Sequence, residues 1–552
     1  VLFRSIGGIA PLISLLETEN EELLANTLGI LNCIVAWDEA SRVEFRRHGG
    51  MPPLILALSF DSERVQKRAS GSIMHLSKDE ENRRVFRKLN GFGPLTALLS
   101  SANEDVVGNG AGAFFHLAFD AENAIEIRLL GILKELVHVL TVTQQLNVQI
   151  QVSGALMNCT AYDAPARSAV RELGGMPPLI RLLQLHKDSL LKHCTGTLFN
   201  CTFEEENRTM LRECHGLGPL VHLLSHPIVD VHANAVGCVR NCAEDEAARK
   251  LLHGMDVIPE LLRLLDSNSE IVLGRAAGAL YNQSFYEESQ PVIRLRRGLP
   301  ALIKLFAAGS GTPRPYAIQA DAAGVLMNMC RSDVPSRASM RSLDAIYPLT
   351  FLLSAPHEES SRRACWTLAF ASMDEETACV IRREGAIKSL VGLLSAHTPV
   401  NVRRAATGCI YHLVAVDHES RLECLRHETV RAMLLMLSTP EADIQADSLG
   451  VIFNLSFVES GSVAIRAGDA LPAILALLSS SKHTEVIANA LGVLCNVLAN
   501  DSASRAIVNS LGGIKSIVRH LASMSTACQS RACAALANAA YDPNCKAALV
   551  DA

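Results

Sequence analysis

Apolar positions along the 552-residue chain recur at helical spacing, and the whole pattern restarts about every 42 residues. In the copy Gly154-Ala155-Leu156-Met157-Asn158 an apolar side chain stands two places before a polar one. Aligning the copies on that polar place gives Asn32, His75, His116, Asn158, Asn200, Asn241, Asn282, Asn328, Phe370, His412, Asn454, Asn496 and Asn538. Successive separations are 41 to 43 residues apart from one of 46. Two residues earlier every copy is apolar, from Ile30, Ile73 and Phe114 through Leu494 and Leu536, which predicts a buried stripe on one helix face. Four residues earlier ten copies have Gly, a poor helix former, expected where another helix or a ligand backbone comes close.

Two shorter helices precede this one in each period. The first starts at acidic clusters such as Asp79-Glu80-Glu81 and Asp374-Glu375-Glu376, where carboxylates complement the positive helix end, and carries Arg or Lys further on. It stops at Gly, as at Gly49-Gly50, Gly91, Gly216 and Gly512-Gly513, where a left-handed residue can end a helix. Pro follows at Pro52, Pro94, Pro177 and Pro219, in a first turn that has no hydrogen bond to lose. Leu pairs such as Leu182-Leu183 and Leu393-Leu394 give the second helix its apolar face.

The three-helix unit, the Gly break before Pro, the Leu pair and the Gly-x-x-x-Asn third helix together resemble the armadillo repeat, of the beta-catenin-like kind, across essentially the whole chain. The resemblance implies an all-α, right-handed α-solenoid of about 13 repeats of ~42 residues, a single domain over 1–552 with both ends cut within a repeat. It also implies a concave groove, lined by third helices, that binds extended segments of other proteins. The 46-residue interval carries an insertion at 307–316, Ala307-Ala308-Gly309-Ser310-Gly311-Thr312-Pro313-Arg314-Pro315-Tyr316, expected as an exposed loop. The ninth copy departs from the pattern, with Trp366 for Gly and Phe370 for Asn; the eleventh has Glu428-Thr429 in place of its Gly break.

Composition fits closely packed helices, being 49% hydrophobic but 5% aromatic. A net charge of −6 does not favour nucleic acid or an acidic membrane surface, and no apolar run reaches membrane-spanning length. Of 16 Cys, Cys33, Cys159, Cys201 and Cys242 directly follow the aligned residue, so packed thiols in a reducing compartment are expected rather than a disulfide scaffold. Cys and His spacings form no zinc pattern, Gly309-Ser310-Gly311-Thr312 lacks the Lys of a phosphate loop, and no base stands with a nucleophile. The expectation is a non-enzymatic protein with no metal or cofactor.

The candidate site is the ladder Asn32, His75, His116, Asn158, Asn200, Asn241, Asn282, Asn328, His412, Asn454, Asn496 and Asn538. A side-chain amide can meet both the C=O and the N–H of one extended peptide residue, although each can equally bridge backbone within the fold. Neighbours just before the ladder, among them Arg240 and Tyr281, and cations one or two turns earlier, Arg275, Arg362 and Arg404, would select the side chains of a partner. They predict a locally basic groove for acidic and apolar segments. A monomeric interaction scaffold in the cytoplasm is expected, with the nucleus or cytoskeleton as alternative locations. The alternatives for function are a permanent subunit of a cytoskeletal or ciliary assembly, a transport adaptor of the importin-alpha kind and the substrate-choosing part of a larger enzyme. The importin-alpha family pairs Trp with Asn four residues on, whereas Trp366 is followed at that distance by Phe370.

Overall fold

The computed structural model describes residues 2–306 and 314–550. Among these every regular element is helical. Contacts cluster into two units, 1–261 with 267–279 and 262–266 with 280–552. In each unit the repeat is the predicted triplet, for example Ala164–Glu172, Met176–Leu182 and Asp188–Cys201. The third helix is the longest, 14 residues in Glu104–Leu117 and 17 in Leu146–Tyr162. In the first unit consecutive third helices pack on one another from Glu21–Trp37 to Val229–Cys242; in the second they do so from Tyr316–Ser332 to Thr526–Ala539.

The stripe two residues before the ladder is core: Ile73, Phe114, Leu156, Leu198, Leu326, Leu368 and Ile452 are fully buried. Ile30 is the exception at 46% exposure, while its neighbour Leu31 is 1% exposed. The alignment of the first repeat is therefore one residue out, and Cys33 holds the ladder place that Asn32 was expected to fill. The third-helix Gly points the same way, since Gly29 stands four residues before Cys33.

Acidic helix starts act as caps and also as struts. Asp79 accepts from the Asn82 backbone N–H at 2.9 Å and pairs with Arg46 of the preceding repeat. Arg87 with Asp120, Arg294 with Asp333, Arg382 with Asp417 and Arg466 with Asp501 repeat that pairing. The break between first and second helices needs a left-handed residue, and it is Gly at Gly49, Gly174 and Gly385. Elsewhere a non-glycine takes it: Asn90, His215, Arg297, Glu428 and Asp469 have φ of 54–60°, at a cost of about 1–2 kcal/mol each. Gly91 and Gly216 then serve a different end from the one expected, leaving room for Phe86 and Leu211 against the following backbone.

Residues 307–313 of the expected insertion loop lie outside the described residues. Arg314 and Pro315 lead directly into Tyr316–Ser332, so Tyr316 opens a helix instead of closing a loop.

Candidate functional site

The ladder residues sit near the C-terminal ends of the third helices, where carbonyls lack intrahelical donors. Their amides supply one to the repeat before. Asn158 Nδ2 donates to the Phe115 carbonyl at 2.8 Å, Asn200 Nδ2 to Met157 at 3.0 Å and Asn538 Nδ2 to Cys495 at 2.9 Å. A hydroxyl two residues past the previous ladder place can also accept: Thr160 shares the Asn200 amide at 3.2 Å, and such a hydroxyl is the acceptor where Asn241 donates to Thr202 at 3.1 Å, Asn328 to Ser284 at 2.8 Å and Asn496 to Ser456 at 2.9 Å. Asn454 turns back to Gly450 of its own helix at 2.9 Å. Asn282 occupies the same place, half-buried, on Glu270–Gln283. One N–H of each donating amide is thus spent on stacking. The second N–H and the Oδ1 of Asn158, Asn241, Asn328 and Asn496 take no partner among the described residues, whereas the Asn200 and Asn538 amides also reach Thr160 Oγ1 at 3.2 Å and Cys495 Sγ at 3.6 Å and keep only the Oδ1 unpartnered.

The third-helix Gly makes room for a side chain of the preceding repeat, the residue just before its ladder place. A Cβ on Gly154 would stand 2.8 Å from Phe115 Cδ2, on Gly237 2.6 Å from Phe199, on Gly324 2.5 Å from Tyr281 and on Gly450 2.7 Å from Tyr411. The following repeat lays over that ring the residue seven places before its own ladder place. The Arg275 guanidinium lies 4.0 Å from the Phe199 ring centre, Arg363 3.8 Å from Tyr281 and Arg531 4.9 Å from Phe453. These cations also donate to the repeat they reach over, Arg275 to the Ala233 carbonyl at 2.6 Å and Arg363 to Ala320 at 3.0 Å. Asn32 occupies the ring's place in its repeat, with its Oδ1 against Gly71, which is the second sign of the one-residue shift.

The expected basic face is largely spoken for. Arg275 is a clamp with its charge turned inward, and burial holds its pKa below the usual value. Arg362 makes two bonds to Glu359, at 2.8 and 2.6 Å. Burial would raise the Glu359 pKa, but bonds from Arg362 and Arg363 outweigh it and hold it at about 2. Arg404 pairs with Asp443 at 2.8 Å, Lys67 with Asp105 at 2.5 Å and Lys192 with Asp230 at 2.6 Å, each an acid of the next repeat. Arg240 is exposed, its side chain against Gly278.

His ladder members differ from the Asn members. Burial lowers the pKa of His75, of His116 to about 4 and of His412, with nearby cations adding to the effect. In the ninth repeat Trp366 stacks on Phe370 at 5.8 Å, and Phe370 meets His412 at 6.5 Å. The indole edge covers Gly408 because Ala369, just before the ladder there, is too small to do so.

Sequence reasoning missed a row of exposed aromatics three residues beyond the ladder: Phe119 at 44%, Phe203 at 52%, Phe285 at 45% and Phe457 at 55% exposure. Each packs on the clamped ring one turn earlier, Phe115, Phe199, Tyr281 or Phe453, at 4.9–5.3 Å. The signal was an aromatic pair four residues apart in alternate repeats, continued by Trp366/Phe370. A cleft in the first unit, lined by Phe3, Asn26, Ile30, Asn32, Lys67 and Arg68, belongs to the same third-helix face. Among the described residues no three His, Cys, Asp or Glu gather as metal ligands.

Stacked three-helix repeats tied along their third helices by amides define the armadillo class of fold. Residues 163–203 and 204–244 match the family described as Armadillo/beta-catenin-like repeat. Human and mouse Splicing regulator ARVCF are each 32% identical over 123 residues, 20% of this chain and 13% of theirs. The chain therefore matches about an eighth of the length of these relatives. Among solved structures, that reported as "A conserved phosphorylation switch controls the interaction between cadherin and beta-catenin in vitro and in vivo" superposes with a TM-score of 0.74 at 16% identity, covering 89% of this chain and 99% of its own. The crystal structure of an engineered protein from the Northeast Structural Genomics Consortium gives 0.68 at 22% identity, over 74% and 98%. These likenesses establish stacked armadillo-type repeats as the fold.

Proposed function

We propose that the third-helix face of each unit binds extended segments of other proteins, and that the chain acts as a non-enzymatic scaffold. The observation that carries this reading is the half-spent ladder: Asn158, Asn241, Asn328 and Asn496 each keep one N–H and the Oδ1 without a partner among the described residues, the pair of groups that one peptide unit requires, and Asn200 and Asn538 keep the Oδ1. Exposed Phe119 and Phe203 in the first unit, and Phe285 and Phe457 in the second, supply apolar seats beside it. Aromatic steps come in every second repeat. At about 8–10 Å per packed helix they fall roughly 16–20 Å apart, which an extended chain spans in about five or six residues. The preferred ligand is an extended segment with apolar side chains at that interval, its backbone held by amides. Ion pairing of Lys67, Lys192, Arg362 and Arg404 makes acidity of the ligand a local preference, not one spread along the whole face.

The test is selection of random 16-residue peptides on the whole chain. Selected peptides should lose at least tenfold in affinity on Asn200→Ala with Phe203→Ala and little on Leu295→Ala, an exposed residue of a first helix. Peptides indifferent to the first pair would overturn the reading.

A further inference from the structure

A group of cations in the first unit with no carboxylate partner lies beside two ladder residues. Arg42 on Glu39–Arg47 donates Nε to the Val35 carbonyl at 2.9 Å, and Arg83 on Glu80–Lys88 donates to Ser77 and Lys78 carbonyls at 3.1 and 3.3 Å. Lys78 is exposed in the turn after ladder residue His75, and His116 is the next ladder member. None of Arg42, Lys78, Arg83, His75 and His116 pairs with a carboxylate among the described residues.

Two counterparts in later repeats of the first unit are paired. Arg208, which corresponds to Arg83, reaches Glu244 and Asp245 at 3.4 and 3.7 Å, and Arg167, which corresponds to Arg42, reaches Glu204 at 3.2 Å. In this part of the chain Phe119 stands where Glu244 would be, and Asp79 and Asp120 are held by Arg46 and Arg87. His75 Nδ1 and Arg83 Nε are shut away from solvent with no hydrogen-bond partner. After burial, the largest influences lowering the His75 pKa are Lys78 and Arg42, and those lowering the His116 pKa are Lys78, His75, Arg83 and Arg42. All are of one sign.

We propose that His75, His116, Lys78, Arg42 and Arg83 form an oxyanion site, which takes a phosphate or a carboxylate carried by a segment lying on the first unit's third-helix face. Charge-assisted bonds from Lys78 and from protonated imidazoles would hold the oxygens, and Phe119, in contact with His116 at 5.9 Å, would seat the neighbouring apolar side chain. This rests on the groove reading for its ligand's source, but the site itself responds to a small anion without any peptide.

The experiment follows the Cε1–H resonances of His75 and His116 in the whole chain through pH titrations, assigned with His75→Gln and His116→Gln. Titrations are run without added anion, with phenyl phosphate and with acetate. An oxyanion seated here raises both midpoints by about one pH unit, a tenfold change in proton affinity, and the more effective probe identifies its source. Lys78→Gln, at an exposed residue, should remove the rise, whereas Lys192→Gln, at a lysine already paired with Asp230, should leave it. Midpoints unmoved by either anion, or a rise that survives Lys78→Gln, would overturn the proposal. An intact anion response with no peptide selected would instead count against the groove reading alone.

Discussion

Asn200 donates an amide hydrogen to the carbonyl of Met157, 43 residues earlier, across 3.0 Å. That bond, with a second from the same nitrogen to Thr160 Oγ1 at 3.2 Å, ties the end of one third helix to the end of the previous one and leaves the Oδ1 without a partner among the described residues. The same side chain thus serves the stack and any segment that lies on it.

Replacing Asn200 by Ala should lower stability by about 1 kcal/mol, the ordinary net worth of one buried hydrogen bond. Asp at the same position keeps the shape but turns a carboxylate toward carbonyl oxygen, and should cost about 1–3 kcal/mol. Urea midpoints of the two variants check the order.

Leu156→Asp should cost several kcal/mol, because a charge would enter a fully buried place. Ile30→Asp should fall within about 0.5 kcal/mol of the parent, since Ile30 is 46% exposed after the shift of register. Comparable losses in both would restore Asn32 to the ladder and remove Cys33 from it.

Gly237→Ala places a Cβ 2.6 Å from the Phe199 ring and 3.3 Å from the Arg275 guanidinium that lies over that ring. Overpacking should destabilise by about 1–3 kcal/mol, and Phe199→Leu should recover part of that loss in a double-mutant cycle. Gly218→Ala, with nothing within 4 Å, should be neutral or slightly stabilising.

Two titrations oppose one another below neutrality. Burial holds the His116 pKa at about 4 in the fold, so the folded chain takes up fewer protons than the unfolded one and stability falls as pH drops from about 6.5 toward 4. Asp447 is pushed to about 6 by burial, then by Asp443 and Glu485, so its penalty grows as pH rises from about 4 to 6. Melting midpoints should fall less between pH 6.5 and 4 in His116→Gln than in the parent. Asp447→Asn should melt higher than the parent at pH 7.5 and alike at pH 4.

Much of this architecture was readable because each repeat restates it. Period, triplet, break and buried stripe are local signals that thirteen copies reinforce. The first ladder place was misread because Asn32 and Cys33 are adjacent and an amide was the expected residue; spacing from Gly29 was the better guide. Left-handed Asn90, His215 and Glu428 were hidden because tertiary contacts, not residue type, impose that conformation. The cations were visible as residues but not as partners. Whether Arg275 faces a ligand or Phe199 depends on how the third helices of three successive repeats stack between positions 76 residues apart, which no short spacing encodes.

The most direct test is where a selected peptide lies. With p-benzoylphenylalanine introduced singly at Phe203, Phe457, Leu295 and Tyr347, all well exposed, irradiation should join peptide to the chain from 203 or 457 and not from 295 or 347. Cross-links confined to 295 or 347, with Asn200→Ala and Asn538→Ala binding unchanged, would contradict the assignment of the third-helix amides as the seat of the ligand.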